Sequence, residues 1–483
     1  MTDHTLEQSE QKPSIDDRSS PSSISSAVGV SLAPGVATAV AMWIVWWIAH
    51  LPAVQAPGGP FIAILALTMV VSLALWGRWA GRRSGPIAGV GGGAVAALLN
   101  LLLLGSRLVE QPTHVDQMES AAGAVRPDAT VFVAGFLAVS AVAGIFAGWA
   151  GSRMTHREAP PSPRDTLTAL AIAGIVAFLP LLVVGGAVTS TESGMAVPDA
   201  FTTYGAPSFL FPLSLMAGEW GSPKIFLEHT HRLFGSLVGL ITIIVAIWTF
   251  AIDRRWMARG LAIAVFGLVT TQGVLGALRV SENSPALAFL HGIFGQGVFA
   301  SAVVLASVVH YDPRDGVPSL PAKTVRAARI GYRVGLAALV VVAIQLALGA
   351  ASRHFGASHA TWTHAGWGFI TAGTVAIAGA LLASADRDTR QGRGLRRVGR
   401  GLTHVVGLQF LLGWVVIWQV TQDESKRPIL ESVELASATP VDVFEATVAT
   451  AHQAIGAGIL ALATLAVVCA ARWQRAPSSA DPT

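Results

Sequence analysis

Apolar stretches of about twenty residues recur along most of this chain, separated by shorter polar connections. Twenty helical residues cover roughly 30 Å, the thickness of the hydrocarbon core of a bilayer. In lipid a helix satisfies its own backbone hydrogen bonds, whereas an isolated strand does not. The pattern therefore predicts an all-α polytopic membrane protein with about twelve transmembrane helices. They are expected near residues 32–51, 61–78, 86–105, 130–150, 166–188, 229–251, 259–278, 287–309, 330–350, 363–384, 401–420 and 447–471.

Arginine and lysine cluster on one set of connections. Basic clusters follow each even-numbered span, whereas the connections after odd-numbered spans are uncharged or mixed and acidic. Because basic residues accumulate on the cytoplasmic side of membrane proteins, both termini are predicted to be cytoplasmic. A multi-pass protein of the plasma (inner) membrane is expected.

The composition supports this class. Charged residues make up only 12% of the chain and apolar residues 52%, with a net charge of +4. These values exclude a disordered chain, a nucleic-acid-binding surface and an ordinary cytosolic enzyme. Cys469 is the single cysteine, so neither an intramolecular disulfide nor a cysteine-built zinc site is expected.

An internal repeat begins at the fifth span. Each even span from the sixth onward opens with a histidine followed four residues later by a glycine: His231 and Gly235, His291 and Gly295, His364 and Gly368, His452 and Gly456. The preceding spans carry a second pattern: Gln272 and Gly276, Gln345 and Gly349, Gln409 and Gly413, with Leu182 and Gly186 in that place in span five. The repeat predicts four-helix units at 161–315 and 316–475, after a four-span extension of unknown role at 32–160 and before a C-terminal tail at 476–483. Residues 1–31 are polar and Ser-rich, which predicts a disordered cytoplasmic tail.

The four histidines are expected at one depth, near the outer ends of their helices. Ionisable residues inside a span are costly and usually functional, and a glycine one turn away leaves a flat recess beside the imidazole. Two imidazoles facing each other across a four-helix bundle are the usual axial ligands of a low-spin haem iron. The sequence therefore predicts two haem sites, His231 with His291 and His364 with His452. A single such histidine would more commonly be an interfacial hydrogen-bonding residue.

The two predicted sites differ in charge. Glu228 lies three residues before His231 and Arg232 follows it, whereas the matching positions in the second unit are Thr361 and Ala365. A carboxylate beside a haem can transfer protons or stabilise a developing cation; its alternative role is a helix N-terminal anion favoured by the dipole.

Three arginines lie at the outer boundary. They could pair with haem propionates, or anchor the chain at the interface. These residues are Arg232, Arg279 and Arg353.

Several segments resemble the haem A synthase family. They are VVGGAVTSTESGMAVPD at 183–199, EHTHR at 228–232, QGVLGALR at 272–279, and His291. The resemblance covers roughly residues 166–471. It differs from some bacterial members in lacking a cysteine pair in the outer loop and in carrying Ala365 after His364.

The resemblance implies oxidation of the C8 methyl group of haem O to a formyl group, for cytochrome c oxidase assembly. It implies that His231 and His291 flank the substrate, with Glu228 as the catalytic carboxylate, and that His364 and His452 ligate a haem b cofactor. The expected partners are haem O, membrane lipid and, in the cell, haem O synthase and cytochrome oxidase subunits; no nucleic acid is expected, and an oligomer is compatible with the sequence.

Two other classes remain open at this stage. A diheme b-type electron-transfer protein would hold two equivalent haems and would not need Glu228. A transporter would share twelve spans and an internal repeat, but it would be expected to carry broken helices with charge near the bilayer centre.

Overall fold

The computed structural model describes residues 23–51, 54–110, 124–211, 223–312, 316–422 and 442–479. Within these ranges, eleven helices are long and apolar enough to cross a membrane, which confirms an all-α polytopic membrane protein. The helices are α1 (Ser23–His50), α2 (Gly58–Leu104), α3 (Ala129–Arg153), α4 (Pro163–Ser190), α5 (Pro223–Ile252), α6 (Trp256–Ser281), α7 (Pro285–His310), α8 (Ala322–Phe355), α9 (Ser358–Ala383), α10 (Arg390–Gln422) and α11 (Val443–Trp473). Two short strand pairs, β1 (Thr202–Thr203) with β2 (Ala206–Pro207) and β3 (Leu320–Pro321) with β4 (Ser478–Ser479), lie in connections.

Helix α2 contains two of the predicted spans. Its 47 residues would extend about 70 Å as a straight helix, more than twice the hydrocarbon thickness. The helix is interrupted at Gly81, whose φ of 87° and ψ of 173° are not helical. The two halves fold back on each other, since a Cβ on Gly85 would lie 3.0 Å from the carbonyl oxygen of Gly77. The eleven helices therefore agree with twelve crossings.

Helix α1 begins earlier than the sequence predicted. The polar tail was expected to reach residue 31, but the helix starts at Ser23; residues 1–22 lie outside the described ranges. The reason is a close contact, because Gly29 packs so tightly against Thr166 and Trp248 that a Cβ there would lie 2.6 and 2.8 Å from their side chains.

Glycines bring α2 and α3 into backbone contact. A Cβ on Gly148 of α3 would lie 2.3 Å from the carbonyl oxygen of Gly85, and one on Gly144 would lie 2.2 Å from that of Gly89. Small residues at such positions permit close packing of membrane helices. The front unit is therefore held together by backbone approach.

Replacing Gly148 by alanine is expected to destabilise the protein by roughly 1–3 kcal/mol, because the new methyl group meets backbone that cannot move aside. Gly135 on the same helix has open space around it, so Gly135→Ala is the matched control. It should be neutral or slightly stabilising, since alanine is the better helix former. Thermal unfolding in detergent compares the two, and equal melting temperatures would contradict the packing account.

Two four-helix bundles follow the front unit, α4–α7 and α8–α11. Their starts carry ordinary capping signals: Ser162 and Asp165 form a capping box before α4, and Asp442 accepts hydrogen bonds from the first turn of α11. Helix α11 packs against α4 and α7, which joins the bundles. Helix α1 covers the first bundle, with Trp43 and Phe234 in edge contact at 5.4 Å between ring centroids.

A buried ion pair joins three helices of the first bundle where α5 ends. Arg255 donates to the Asp253 carboxylate at 2.5 Å and to the Tyr311 carbonyl oxygen at 2.7 Å, and Arg164 lies 3.8 Å from the same carboxylate. Burial opposes ionisation of Asp253, but the hydrogen bonds from Arg255 outweigh it and lower the pKa of the carboxyl group. The ends of α4, α5 and α7 are thereby fixed to one another.

Candidate functional site

The four predicted histidines form two opposing pairs. The rings of His231 on α5 and His291 on α7 lie 6.3 Å apart between centroids, with planes at 77°. Those of His364 on α9 and His452 on α11 lie 6.2 Å apart, with planes at 83°. All four residues lie near the starts of their helices. The side of the protein on which these helices begin is called the histidine side below.

Both pairs line one continuous cavity of about 410 Å³. Its wall includes Gln296 and Thr371, which belong to different bundles, as well as all four histidines. The two sites therefore communicate through a single interior space.

Each imidazole packs against a glycine on the preceding helix. An added Cβ would lie 2.8–3.2 Å from the Cε1 atom of the histidine at Gly185 (His231), Gly276 (His291), Gly349 (His364) and Gly413 (His452). Real Cβ atoms avoid such short contacts, so these positions accept the imidazole only because they lack a side chain.

In three of the four turns, the glycine that follows the histidine makes room for a glutamine. The amide nitrogen of Gln272 lies 2.7 Å from a Cβ built on Gly295, and those of Gln345 and Gln409 lie 3.5 and 3.4 Å from Gly368 and Gly456. Gln272 and Gln345 also donate to the backbone carbonyl oxygens of His291 and His364, at 2.9 and 3.1 Å. The glycine of each Gln pattern therefore leaves room for an imidazole, and the glycine of each His pattern leaves room for a glutamine. The recess predicted beside His291, His364 and His452 is occupied by the glutamine amide.

The fourth turn differs. The sequence pairing of Leu182 with Gly186 was wrong by one residue, because Gly185 contacts His231 while Gly186 faces Thr450 and Gln453 of α11. Leu181 therefore stands where the other turns have glutamine. No atom of the described residues lies within 4 Å of a Cβ on Gly235, so open space remains only beside His231.

Replacing Gly349 by valine is expected to displace His364 and weaken haem retention in the second bundle by about tenfold, as losses of supporting contacts around a metal ligand commonly do. Gly366→Val on α9 is the matched control, since open space surrounds Gly366. Haem content after purification compares the variants. Equal haem content in both would show that the glycine contact does not position the ligand.

Glu228 is buried, with 4% of its surface exposed. Its carboxylate accepts a hydrogen bond from the backbone N–H of Val197 at 2.8 Å and forms an ion pair with Arg232 at 2.7 Å. Arg232 also donates to the carbonyl oxygens of Val197 and Thr202. The pair holds the connection between α4 and α5 over the histidine side. Neither Glu228 nor Arg232 is among the residues that line the cavity.

Arg279 and Arg353 do line the cavity. Arg279 donates to the carbonyl oxygen of Gly194 at 2.7 Å, and Arg353 donates to that of Thr189. Arg353 also lies 3.6 Å from the carboxylate of Glu192. Both arginines therefore hold the α4–α5 connection while placing positive charge at the mouth of the cavity.

That connection contains the motif quoted for the family resemblance. Asp199 accepts hydrogen bonds from Thr202 and from the backbone of Gly205, at 2.9 and 2.7 Å. Tyr204 and Gly205 have positive φ values of 49° and 81°, as a tight hairpin turn between β1 and β2 requires. Burial, with the nearby carboxylates of Glu228 and Asp199, raises the pKa of Tyr204.

The second bundle has a hydroxyl group where the first has the carboxylate of Glu228. Thr361 occupies the matching position when counted from the repeated histidine, and Ser352 lies near the end of α8. Their side-chain oxygens lie 2.7 Å apart, within hydrogen-bond distance. The Glu228–Arg232 ion pair of the first bundle therefore has a neutral hydroxyl pair as its counterpart in the second bundle.

Two further histidines contribute although they lie outside the repeat. His229 is fully buried and lies 3.2 Å from the Thr203 hydroxyl, so it fixes the β1–β2 hairpin. His354 lines the cavity, with its Nε2 atom 3.8 Å from a Cβ built on Gly292. The only sequence signal for either was its proximity to residues already singled out, Glu228 and Arg353.

The histidine pairs fit a haem group with two axial imidazoles. Two iron–nitrogen bonds of about 2 Å, plus the distance from each ring centre to its nitrogen, give a centroid separation of roughly 6 Å. The Nδ1 atom of His364 lies 3.0 Å from the carbonyl oxygen of Gln345, an arrangement that leaves Nε2 for a metal. Among the described residues, no group of three or more His, Cys, Asp or Glu side chains could hold a bare metal ion.

Known proteins resemble this chain over the first bundle and part of the second. A model of the cytochrome oxidase assembly protein family, COX15-CtaA, matches residues 168–370, which include His231, His291 and His364 but not His452. Curated relatives include the haem A synthase of Exiguobacterium sp., 28% identical over 37% of this chain and 55% of the relative. The haem A synthase of Geobacillus kaustophilus is 30% identical over 28% and 40%, and that of Shouchella clausii is 29% identical over 35% and 55%.

The chain spans about half the length of the curated relatives it matches. No solved structure matches it. The family match confirms the resemblance read from the sequence motifs. Residues 168–370 of the chain are therefore similar to the cytochrome oxidase assembly protein family, COX15-CtaA.

Proposed function

We propose that this protein is a haem A synthase, a membrane oxidoreductase that oxidises the C8 methyl group of haem O to a formyl group. The methyl group is oxidised in two successive oxygenations, each of which consumes one dioxygen, two electrons and two protons and releases one water. Loss of a further water from the hydrated product leaves the formyl group. The observation that carries the proposal is the pair of similar histidine sites with unlike surroundings: Glu228, Arg232 and Arg279 beside the first, and Ser352 with Thr361 beside the second. The names of the curated relatives and the family match support it.

In this proposal His231 and His291 flank the substrate. Arg279 and Arg353 offer guanidinium groups to the substrate's carboxylates at the mouth of the cavity. Glu228 serves as the catalytic carboxylate and is held in place by Arg232 and the Val197 N–H. From there it can accept or return a proton as the methyl group is oxidised.

His364 and His452 would hold haem b, which supplies one-electron transfer when bound. The hydroxyl pair beside them carries no group suited to proton exchange at neutral pH. The cavity that both histidine pairs line supports electron transfer between the two proposed sites.

The organisation of the chain completes the proposal. Residues 32–160, with the start of α1 from Ser23, are assigned as an extension, residues 161–315 as the substrate half and residues 316–475 as the cofactor half. The basic ends face the cytoplasm of a cell whose plasma membrane holds the protein. Haem O synthase and cytochrome oxidase subunits are its proposed partners in the cell.

Co-expression with a haem O synthase, in a host that makes no haem A, tests the proposal. Pigment extraction should show haem A in cells that carry both proteins, and only haem B and haem O in cells without this chain. Absence of haem A despite a folded, haem-loaded protein would overturn it. That outcome would favour a diheme electron-transfer protein. The near-identical ring separations of the two histidine pairs are compatible with that function as well.

A further inference from the structure

The two bundles differ where their second and third helices meet. In the second bundle, Phe369 on α9 and Phe410 and Trp414 on α10 form one aromatic cluster, with ring centroids 5.1–6.2 Å apart. Phe410 and Trp414 also line the cavity. The contact between α9 and α10, called the second seam, is therefore closed by aromatic rings beside the His364 site.

The matching positions in the first bundle carry small residues. Counted from the repeated histidine and glutamine, Phe369 corresponds to Ser236, Phe410 to Gly273 and Trp414 to Ala277. The contact between α5 and α6, called the first seam, consequently has no ring to close it.

These small residues leave open space along α5 and α6. Among the described residues, no atom lies within 4 Å of a Cβ built on Gly235 or Gly239 of α5, or on Gly267 or Gly273 of α6. Ser236 is exposed at the same level.

The polar groups along the first seam are satisfied within their own helices. Ser236 donates to the carbonyl oxygen of Arg232, and Thr270 and Thr271 donate to those of Phe266 and Gly267. The seam therefore presents an apolar surface on two helices that are long and apolar enough to cross a membrane.

The first seam begins one turn from the first histidine pair. Gly235 lies one turn after His231, and Leu181 replaces the glutamine that fills the equivalent space beside the other histidines. His231 itself lines the cavity. The open seam thus adjoins the helix turn that carries His231, whereas the aromatic cluster occupies the equivalent place beside His364.

We propose that the first seam is the lateral entrance from the bilayer to the His231–His291 site, and that it accommodates the isoprenoid tail of the substrate haem. This inference rests on the proposed function. Haem O carries a long branched hydrocarbon chain, which favours lipid over water, so entry through the membrane avoids its exposure. The closed second seam suits a haem that stays bound.

Closing the first seam with aromatic rings tests the entrance. The variant Ser236→Phe with Gly273→Phe copies two members of the cluster, and Gly135→Phe on α3 is the matched control because open space surrounds that glycine too. Protein from a host that makes only haem B is mixed with phosphatidylcholine vesicles containing haem O. Haem O transferred to the protein is measured by extraction at successive times. Transfer should slow by at least about tenfold in the double variant and match wild type in the control.

Transfer of haem O at the wild-type rate in the double variant would refute the proposal that the first seam is the entrance. The low-spin spectrum of the second site reports whether the double variant folds. If that spectrum is lost, the reciprocal variant Phe369→Ser with Phe410→Ala is tested instead. It should release haem B to an acceptor apoprotein at least about tenfold faster than wild type. Unchanged release of haem B would refute the proposal.

This experiment and the co-expression test together separate the two proposals. Haem O that enters the wild-type protein from vesicles, while cells co-expressing the protein with a haem O synthase make no haem A, refutes the proposed function and leaves the entrance standing. Equal transfer into wild type and double variant, with haem A formed in those cells, refutes the entrance alone.

Discussion

Replacing Glu228 by glutamine is expected to lower haem A formation by about a hundredfold or more, the usual contribution of a positioned acid or base. Glutamine keeps an oxygen that can accept the Val197 N–H, so the connection over the histidine side should remain in place. It loses the charge that pairs with Arg232. Haem A and haem O are quantified by extraction from cells that also carry a haem O synthase.

Thr361→Ala is the matched control, because Thr361 occupies the equivalent position in the second bundle and its side-chain hydroxyl lies within hydrogen-bond distance of that of Ser352. It should leave product formation nearly unchanged. Wild-type turnover in Glu228→Gln would instead assign Glu228 to holding Arg232 and the α4–α5 connection, or to stabilising the start of α5 as a helix N-terminal anion.

Replacing His364 by alanine is expected to abolish the low-spin haem b signal of the second bundle, because only one imidazole, that of His452, remains at that site. Product formation should fall with it, since no second haem can supply electrons. The measurement is the absorption spectrum of the reduced, purified protein.

His359→Ala is the control on the same helix, since His359 is exposed and lies outside the cavity. Its spectrum should equal that of wild type. A low-spin signal unchanged in His364→Ala would refute ligation by this histidine.

Spacing along single helices predicted much of the architecture. The apolar runs predicted the membrane crossings, and the repeated His and Gln positions identified residues that line the cavity. The structure brings the histidines together as two pairs, while their ligation of haem stays a prediction.

Contacts between helices could not be predicted in the same way. The spacing of His364 and Gly368 indicated a recess, but the amide of Gln345 on another helix lies there. The one-residue error at Leu182 has the same origin, because only the contact between Gly185 and His231 fixes how α4 is rotated against α5.

The surface that the front unit covers could not be predicted from the sequence either. Its sequence shows four apolar spans without repeated chemistry, so nothing in the pattern indicates which surface they cover. The contact of Trp43 with Phe234 shows that α1 lies against α5 on a face other than the first seam. Both residues are fully buried, which fixes the extension to the proposed substrate half.

The haem content of the wild-type chain tests the central claim most directly. Protein from cells that make both haem B and haem O is purified, its haem-to-protein ratio is determined, and its iron spin state is read from the absorption spectrum. The account predicts two low-spin haems per chain, one of them haem B and the other haem O or haem A. A single haem, or high-spin iron in both sites, would contradict ligation by two opposing pairs of histidines.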